Sequence, residues 1–175
     1  GTESDTSHVL AMRITSTVSQ GNSQSGTFLR SFIHLGFNQD EVGRIVFDGS
    51  NPHIAARLLA MNIRFAAPSG AASMYEPGSD GVVWWSEYAD EARGGSAGAL
   101  LERCRATDTC PKIVETFGSA EFYNLRASPM LVGTGANRDI PLPSNVRRYY
   151  FPGVRHGGGR GGFDSELEDD DCCGL

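Results

Sequence analysis

Gly21-Asn22-Ser23-Gln24-Ser25-Gly26 sets two serine hydroxyls among small residues, between a β-prone segment and a helical one. A serine on a tight strand-to-helix turn adopts a strained backbone and projects its hydroxyl past the sheet, provided that its neighbours are small. Ser23 meets that requirement best, because with Ser25 as nucleophile the β-branched Thr27 would crowd the turn. The usual pattern is Gly-x-Ser-x-Gly. Here the second glycine position is Ser25, followed at once by Gly26. The plainer reading is a Ser/Gly loop that only joins a strand to a helix, since short motifs also occur by chance.

A serine nucleophile needs a base to take its proton and an acid to orient that base. Glu121 lies just beyond the expected strand Pro111–Gly118, and His156 lies beyond the β-prone run Asn145–Phe151 and the turn Pro152-Gly153. The chain therefore presents Ser, acid and His in that order, each on a loop after an expected strand. That is the order of the α/β-hydrolases. Asp48, expected at the carboxyl end of a strand over Arg44–Gly49, is the alternative acid. Turn chemistry ahead of Ser50-Asn51-Pro52 favours a backbone-bonding role for it. His8, His34 and His53 are weaker bases: one is in a polar terminus, one on the helix after the turn, one in a turn.

These groups need elements to carry them. The β-branched Ile14–Val18 predicts a strand, and Phe28, Leu29, Phe32, Ile33 and Leu35 predict a helix from Ser25 to Leu35 that Gly36 ends. Ile54, Leu58, Leu59, Met61 and Ile63 predict another from His53 to Phe65. Residues 53–104 otherwise read as an irregular insertion, Ala/Pro/Gly/Ser-rich over Ala66–Gly81, with the aromatic Val82–Tyr88 inside it. Such an insertion suits a lid or pocket wall. Trp84 and Trp85 are thus either substrate-pocket residues or aromatics that bury loops against the core. The fold class is α/β, with a mostly parallel sheet, read as residues 1–163, and an acidic tail over 164–175.

The chain has 175 residues, 22 of them glycine, and a net charge of −6. That is one domain's length with many loops. Much of the charge is the run Asp164, Glu166, Glu168–Asp171, which has no calcium-loop spacing and reads as a solvated stretch. No metal or cofactor is implied. The sequence has no apolar run of membrane-spanning length, so no membrane partner is expected. Gly157–Gly162 with Arg160 is the only hint of nucleic acid, and the adjacent acidic run argues against it. Cys104 and Cys110 bracket a short polar loop that a disulfide would close, whereas Cys172 and Cys173 would seek other partners. A disulfide points to an oxidising compartment, secreted or periplasmic.

Gly21–Gly26 with Phe28-Leu29-Arg30, Gly36-Phe37-Asn38 with Glu41 and Gly43-Arg44, Phe47-Asp48-Gly49, Ser119-Ala120-Glu121, Leu142-Pro143 with Asn145–Arg147, and Gly153 with His156-Gly157 together resemble the α/β-hydrolase domain family, in a serine esterase-like branch. The resemblance spans most of residues 13–157. It implies Ser23 as nucleophile, His156 as general base, Glu121 as the orienting acid and the Gln24 backbone N–H as an oxyanion donor. The implied activity is hydrolysis of a small-molecule carboxylic ester through an acyl-enzyme. Amide or peptide hydrolysis by the same triad, or a non-catalytic binding module of the same fold, are the alternatives. Relatives of this kind carry strands before the turn and a helix after the histidine loop. The expectation is therefore an incomplete hydrolase domain, completed by self-association or by an amino-terminal half.

Overall fold

The computed structural model describes residues 14–57, 81–91 and 96–157. The chain order is β1 (Val18–Asn22), α1 (Gln24–His34), β2 (Gly49–His53), β3 (Tyr88–Asp90), β4 (Ser96–Gly98), α2 (Glu102–Ala106), β5 (Lys112–Gly118), α3 (Ser119–Tyr123), α4 (Ser128–Val132) and β6 (Val146–Phe151). A parallel sheet in the order β1-β2-β5-β6 is the frame, and β3 and β4 form a separate antiparallel pair. Because all four strands run the same way, their carboxyl ends meet along one edge. In open α/β sheets that edge is where ligands bind.

Helix α1 forms where the apolar spacing predicts it, within one residue at either end, and buries Leu29 and Ile33 against the sheet. Its end is a Schellman turn. Gly36, at φ 82°, donates to Ile33 O at 3.0 Å, and Phe37 N donates to Phe32 O at 3.0 Å. The Phe32 and Phe37 rings, 5.8 Å apart, supply the apolar contact that accompanies this closure.

The first two strands differ from the sequence expectation. β1 begins at Val18 and runs into the glycine-containing stretch, with Gly21 opposite Pro52 and Asn22 opposite His53. The expected strand Arg44–Gly49 is only the lead-in to β2. Both backbone groups of Phe47 are taken by the Asn38 side chain, Oδ1 accepting from Phe47 N and Nδ2 donating to Phe47 O, each at 2.9 Å. β2 is instead Gly49-Ser50-Asn51-Pro52-His53, a sequence of turn formers that tertiary pairing holds extended. The expected helix from His53 also does not start there. Ile54 has φ 46° and donates to Thr116 O at 2.7 Å, which turns the chain at the end of β2. Residues 58–65, most of the Ala66–Gly81 stretch, Gly94-Gly95 and the acidic tail lie outside the described residues.

β5 and β6 lie where expected, in register from Ile113 with Val146 to Gly118 with Phe151. One core cluster joins Ile33, Trp85, Leu100, Leu101, Cys104, Ile113 and Val146. A second joins Val83, Trp84, Met130 and Ile140 with Ala56 and Ala127. Trp84 and Trp85 are fully buried, and the Trp84 indole N–H donates to Pro129 O at 2.8 Å. Cys104 and Cys110 are joined by a disulfide, tying the middle of α2 to the lead-in of β5.

The core also holds charge. Glu115, on the middle of β5, accepts from Arg30 of α1 and, at 2.6 Å, from Arg148 Nε of β6. Burial opposes its ionised form, but the Arg148 and Arg30 charges together with the hydrogen bond from Arg148 hold its carboxyl below the ordinary 4.5. The unfolded chain therefore takes up that proton at higher pH than the folded one. The stabilisation is present above the unfolded value and is lost as pH falls through the folded one. Thermal midpoints followed from neutral pH into the acid range should fall more steeply for the parent than for Glu115→Gln. Parallel slopes would remove Glu115 from the acid response.

Candidate active site

Ser23 sits between β1 and α1 with φ 53° and ψ −116°, a conformation that non-glycine residues rarely adopt. Its N–H donates to His53 O at 3.0 Å, and its carbonyl accepts from Thr27 N at 2.8 Å. The neighbouring strand and the first helical turn thus hold the strained residue from both sides. Ser25 is already inside α1 and exposed. The small residue that the turn demands is Gly26. A Cβ there would lie 2.7 Å from Gly21 O and 2.8 Å from His53 O, so α1 can start this close to β1 and β2 only without one. Gly26 thus takes the place that the usual motif gives to its second glycine, one residue later.

His156 reaches Ser23 from the loop after β6. Its Nε2 is 2.7 Å from Ser23 Oγ, and its Nδ1 is 2.5 Å from Glu121 Oε1. A carboxylate can only accept, so Nδ1 carries the proton and Nε2 of the neutral ring accepts from the Ser23 hydroxyl. Glu121 is fully buried on α3, whereas the His156 side chain is 41% exposed. The second carboxylate oxygen, Oε2, accepts from Gly118 N at 2.6 Å. Its orientation is therefore fixed by the strand end from which α3 starts.

Two contacts seat the histidine loop. A Cβ on Gly118 would meet Val154 O at 2.8 Å, so the loop can lie against the end of β5 only because that residue is glycine. Ser119 Oγ accepts from Gly153 N at 2.8 Å and pairs with Tyr150 Oη at 2.9 Å, pinning the turn that leads to His156. His53 Nδ1 pairs with Thr116 Oγ1 at 2.6 Å and closes the edge between β2 and β5.

An alpha/beta hydrolase domain model matches residues 2–171. The chain belongs to that family. No curated protein and no solved structure matches it. The match is to a hydrolase family and names no substrate.

In this alpha/beta hydrolase, the residues expected to do chemistry part company. Ser23, Glu121 and His156 come together at the carboxyl edge, and Gln24 opens α1, where first-turn N–H groups have no acceptor within the helix. Asp48 does not join them. It precedes β2, and its Oδ2 accepts from Thr17 N at 2.7 Å and from Thr17 Oγ1 at 3.3 Å. β2 is five residues long. At about 3.3 Å per residue, Asp48 is on the order of 15 Å from the edge. Trp84 and Trp85 are both buried, each in one of the two core clusters. His34 lies on α1, where burial and then the Arg103 charge lower its pKa from 6.5. His8 lies outside the described residues.

No motif in the sequence marks Ser119 as the pin of the histidine loop, and none marks Arg30, Glu115 and Arg148 as a cluster. For Arg30 and Glu115 a signal was available. Arg30 stands on the apolar stripe of α1, and Glu115 interrupts the apolar alternation of β5.

Because Ser23 is strained, glycine fits its backbone better than alanine. Strain of this kind costs on the order of 1–3 kcal/mol, partly offset by the chain entropy glycine loses on folding. Ser23→Gly should be about 1 kcal/mol more stable than Ser23→Ala in urea unfolding, and equal stability would mean the turn is unstrained. Gly26→Ala should cost roughly 1–3 kcal/mol through overpacking.

Proposed function

We propose that the protein hydrolyses carboxylic esters through a Ser23–His156–Glu121 triad. The observation that carries this reading is the continuous hydrogen-bonded line from Ser23 Oγ through both ring nitrogens of His156 to Glu121, with Ser23 on a strained turn. Strained backbone at a reactive group is a mark of functional sites.

The chemistry follows from the hydrogen-bond directions. Ser23 Oγ attacks the ester carbonyl carbon as its proton passes to His156 Nε2. Glu121 stabilises the imidazolium so formed and does not itself become protonated. The oxyanion accepts from the N–H of Gln24, where the helix dipole adds to the attraction. The Ser23 N–H is unavailable, because His53 O already accepts from it. When the C–O bond to the leaving group breaks, His156 Nε2 returns its proton to the departing alkoxide. A water, deprotonated by the same nitrogen, then hydrolyses the acyl-Ser23 ester and restores the hydroxyl. His156 is half-exposed, which leaves its ring face open to substrate and water.

Short p-nitrophenyl esters are the direct test. The parent should turn over, Ser23→Ala should fall to background, and Glu121→Gln should lose roughly 10³–10⁴-fold in kcat with little change in KM, because the amide favours the wrong imidazole tautomer. Parental turnover in Ser23→Ala would end this reading.

A further inference from the structure

We propose that the buried Arg30–Glu115–Arg148 cluster is a positioning device that sets Ser23, Glu121 and His156 in register with one another. The inference rests on the hydrolase reading of those three residues. Glu115 is the hub. Its Oε1 accepts from Arg30 Nη1 and its Oε2 from Arg148 Nε. Arg30 also donates from Nη2 to Val83 O at 2.5 Å, and its guanidinium lies 4.7 Å from the Trp85 ring. Arg148 sits directly opposite Glu115 in the β5–β6 ladder and stands over the Phe117 ring at 6.0 Å.

Each member stands on an element that leads into, or starts from, the segment holding one functional residue. Arg30 is on α1, which Ser23 starts. Glu115 is on β5, which runs into Glu121. Arg148 is on β6, which leads to His156. Sliding α1 by one residue would move Ser23 by about 1.5 Å and turn Arg30 away from Glu115. A displacement of about 1 Å can cost a hundredfold in rate. The cluster thus selects the one helix position that serves the site.

Stability alone does not account for it. Arg30 and Glu115 are completely buried and Arg148 is 10% exposed, so three charges have left water in a space that apolar side chains would fill. Burial lowers the Arg30 pKa to about 10, with the Glu115 charge opposing the shift. Arg30 Nε and Arg148 Nη2 have no partner among the described residues. Well-packed apolar replacements of buried ion clusters are often no less stable than the originals. What a carboxylate bridging two guanidiniums, one on each oxygen, supplies is direction.

The experiment compares the parent with the triple variant Arg30→Met/Glu115→Leu/Arg148→Met. Three readouts are taken: the thermal midpoint, Ser23-dependent ester turnover, and the ring-nitrogen chemical shifts of His156, which report its tautomer and its bond to Glu121. The expected result is a cooperative melt near or above the parent's, a kcat at least tenfold lower with KM little changed, and His156 shifts moved toward a mixture of tautomers. A folded triple variant with parental kcat and unmoved shifts would overturn the proposal. If the triple variant does not fold, Glu115→Asp takes its place, since it keeps every charge but shortens the reach. It should show the same kcat-only loss and shift change, and parental values in it would likewise overturn the proposal. A parent without ester turnover sinks the ester reading by itself, and the His156 shifts still judge the cluster.

Discussion

The backbone of Ser23 is the constraint on which the rest depends. Its φ of 53° lets the chain leave β1 and enter α1 with no intervening loop, and it puts the hydroxyl past the sheet edge. The conformation persists because the surroundings over-determine it. β2 must lie beside β1 to offer His53 O, and α1 must start close enough for Thr27 to bond back. That approach in turn requires Gly26, whose missing side chain is the space the two backbones share. With total folding free energies of about 5–15 kcal/mol, a local strain of 1–3 kcal/mol is a sizeable share. It persists only where the sheet, the helix and the packing beneath them agree.

Two buried carboxylates on one stretch of chain do opposite kinds of work. Glu115, inside β5, is clamped by two guanidiniums and held ionised as a structural hub. Glu121, just after the same strand, meets one backbone N–H and one imidazole. It has a single partner able to change charge, and that partner touches Ser23. The difference arises from position. Glu115 lies mid-strand, where neighbouring elements bring fixed cations, while Glu121 lies at the strand end, where the next loop can approach. Gly118 permits that approach, and Ser119 pins it.

The hydrolase family match explains why this arrangement is built from a parallel sheet. Parallel strands deliver all their carboxyl ends to one edge, so three residues distant in sequence meet there without long connecting arms. The same geometry makes the site sensitive to registry. Ser23, Glu121 and His156 each inherit any slip of the element behind them.

Local chemistry made part of this legible from residues alone. Helix α1 follows from apolar spacing and a terminal glycine, β5 and β6 from β-branched and aromatic runs, and the Ser–acid–His order from short motifs whose steric demands are local. The joining of Cys104 to Cys110 across a short polar loop belongs with them. Non-local pairing decided the rest. Gly49-Ser50-Asn51-Pro52-His53 has the composition of a turn and is a central strand only because β1 and β5 flank it. That shift carried Asp48 to the far end of the sheet. Trp84 and Trp85 have side chains that serve pocket and core alike, and only the packing of α1, α4 and the sheet around them placed them inside. Arg30 and Glu115 each break an apolar pattern, but nothing local pairs them with each other or with Arg148. Their burial rests on a contact spanning 85 residues between Arg30 and Glu115, which no window of sequence contains.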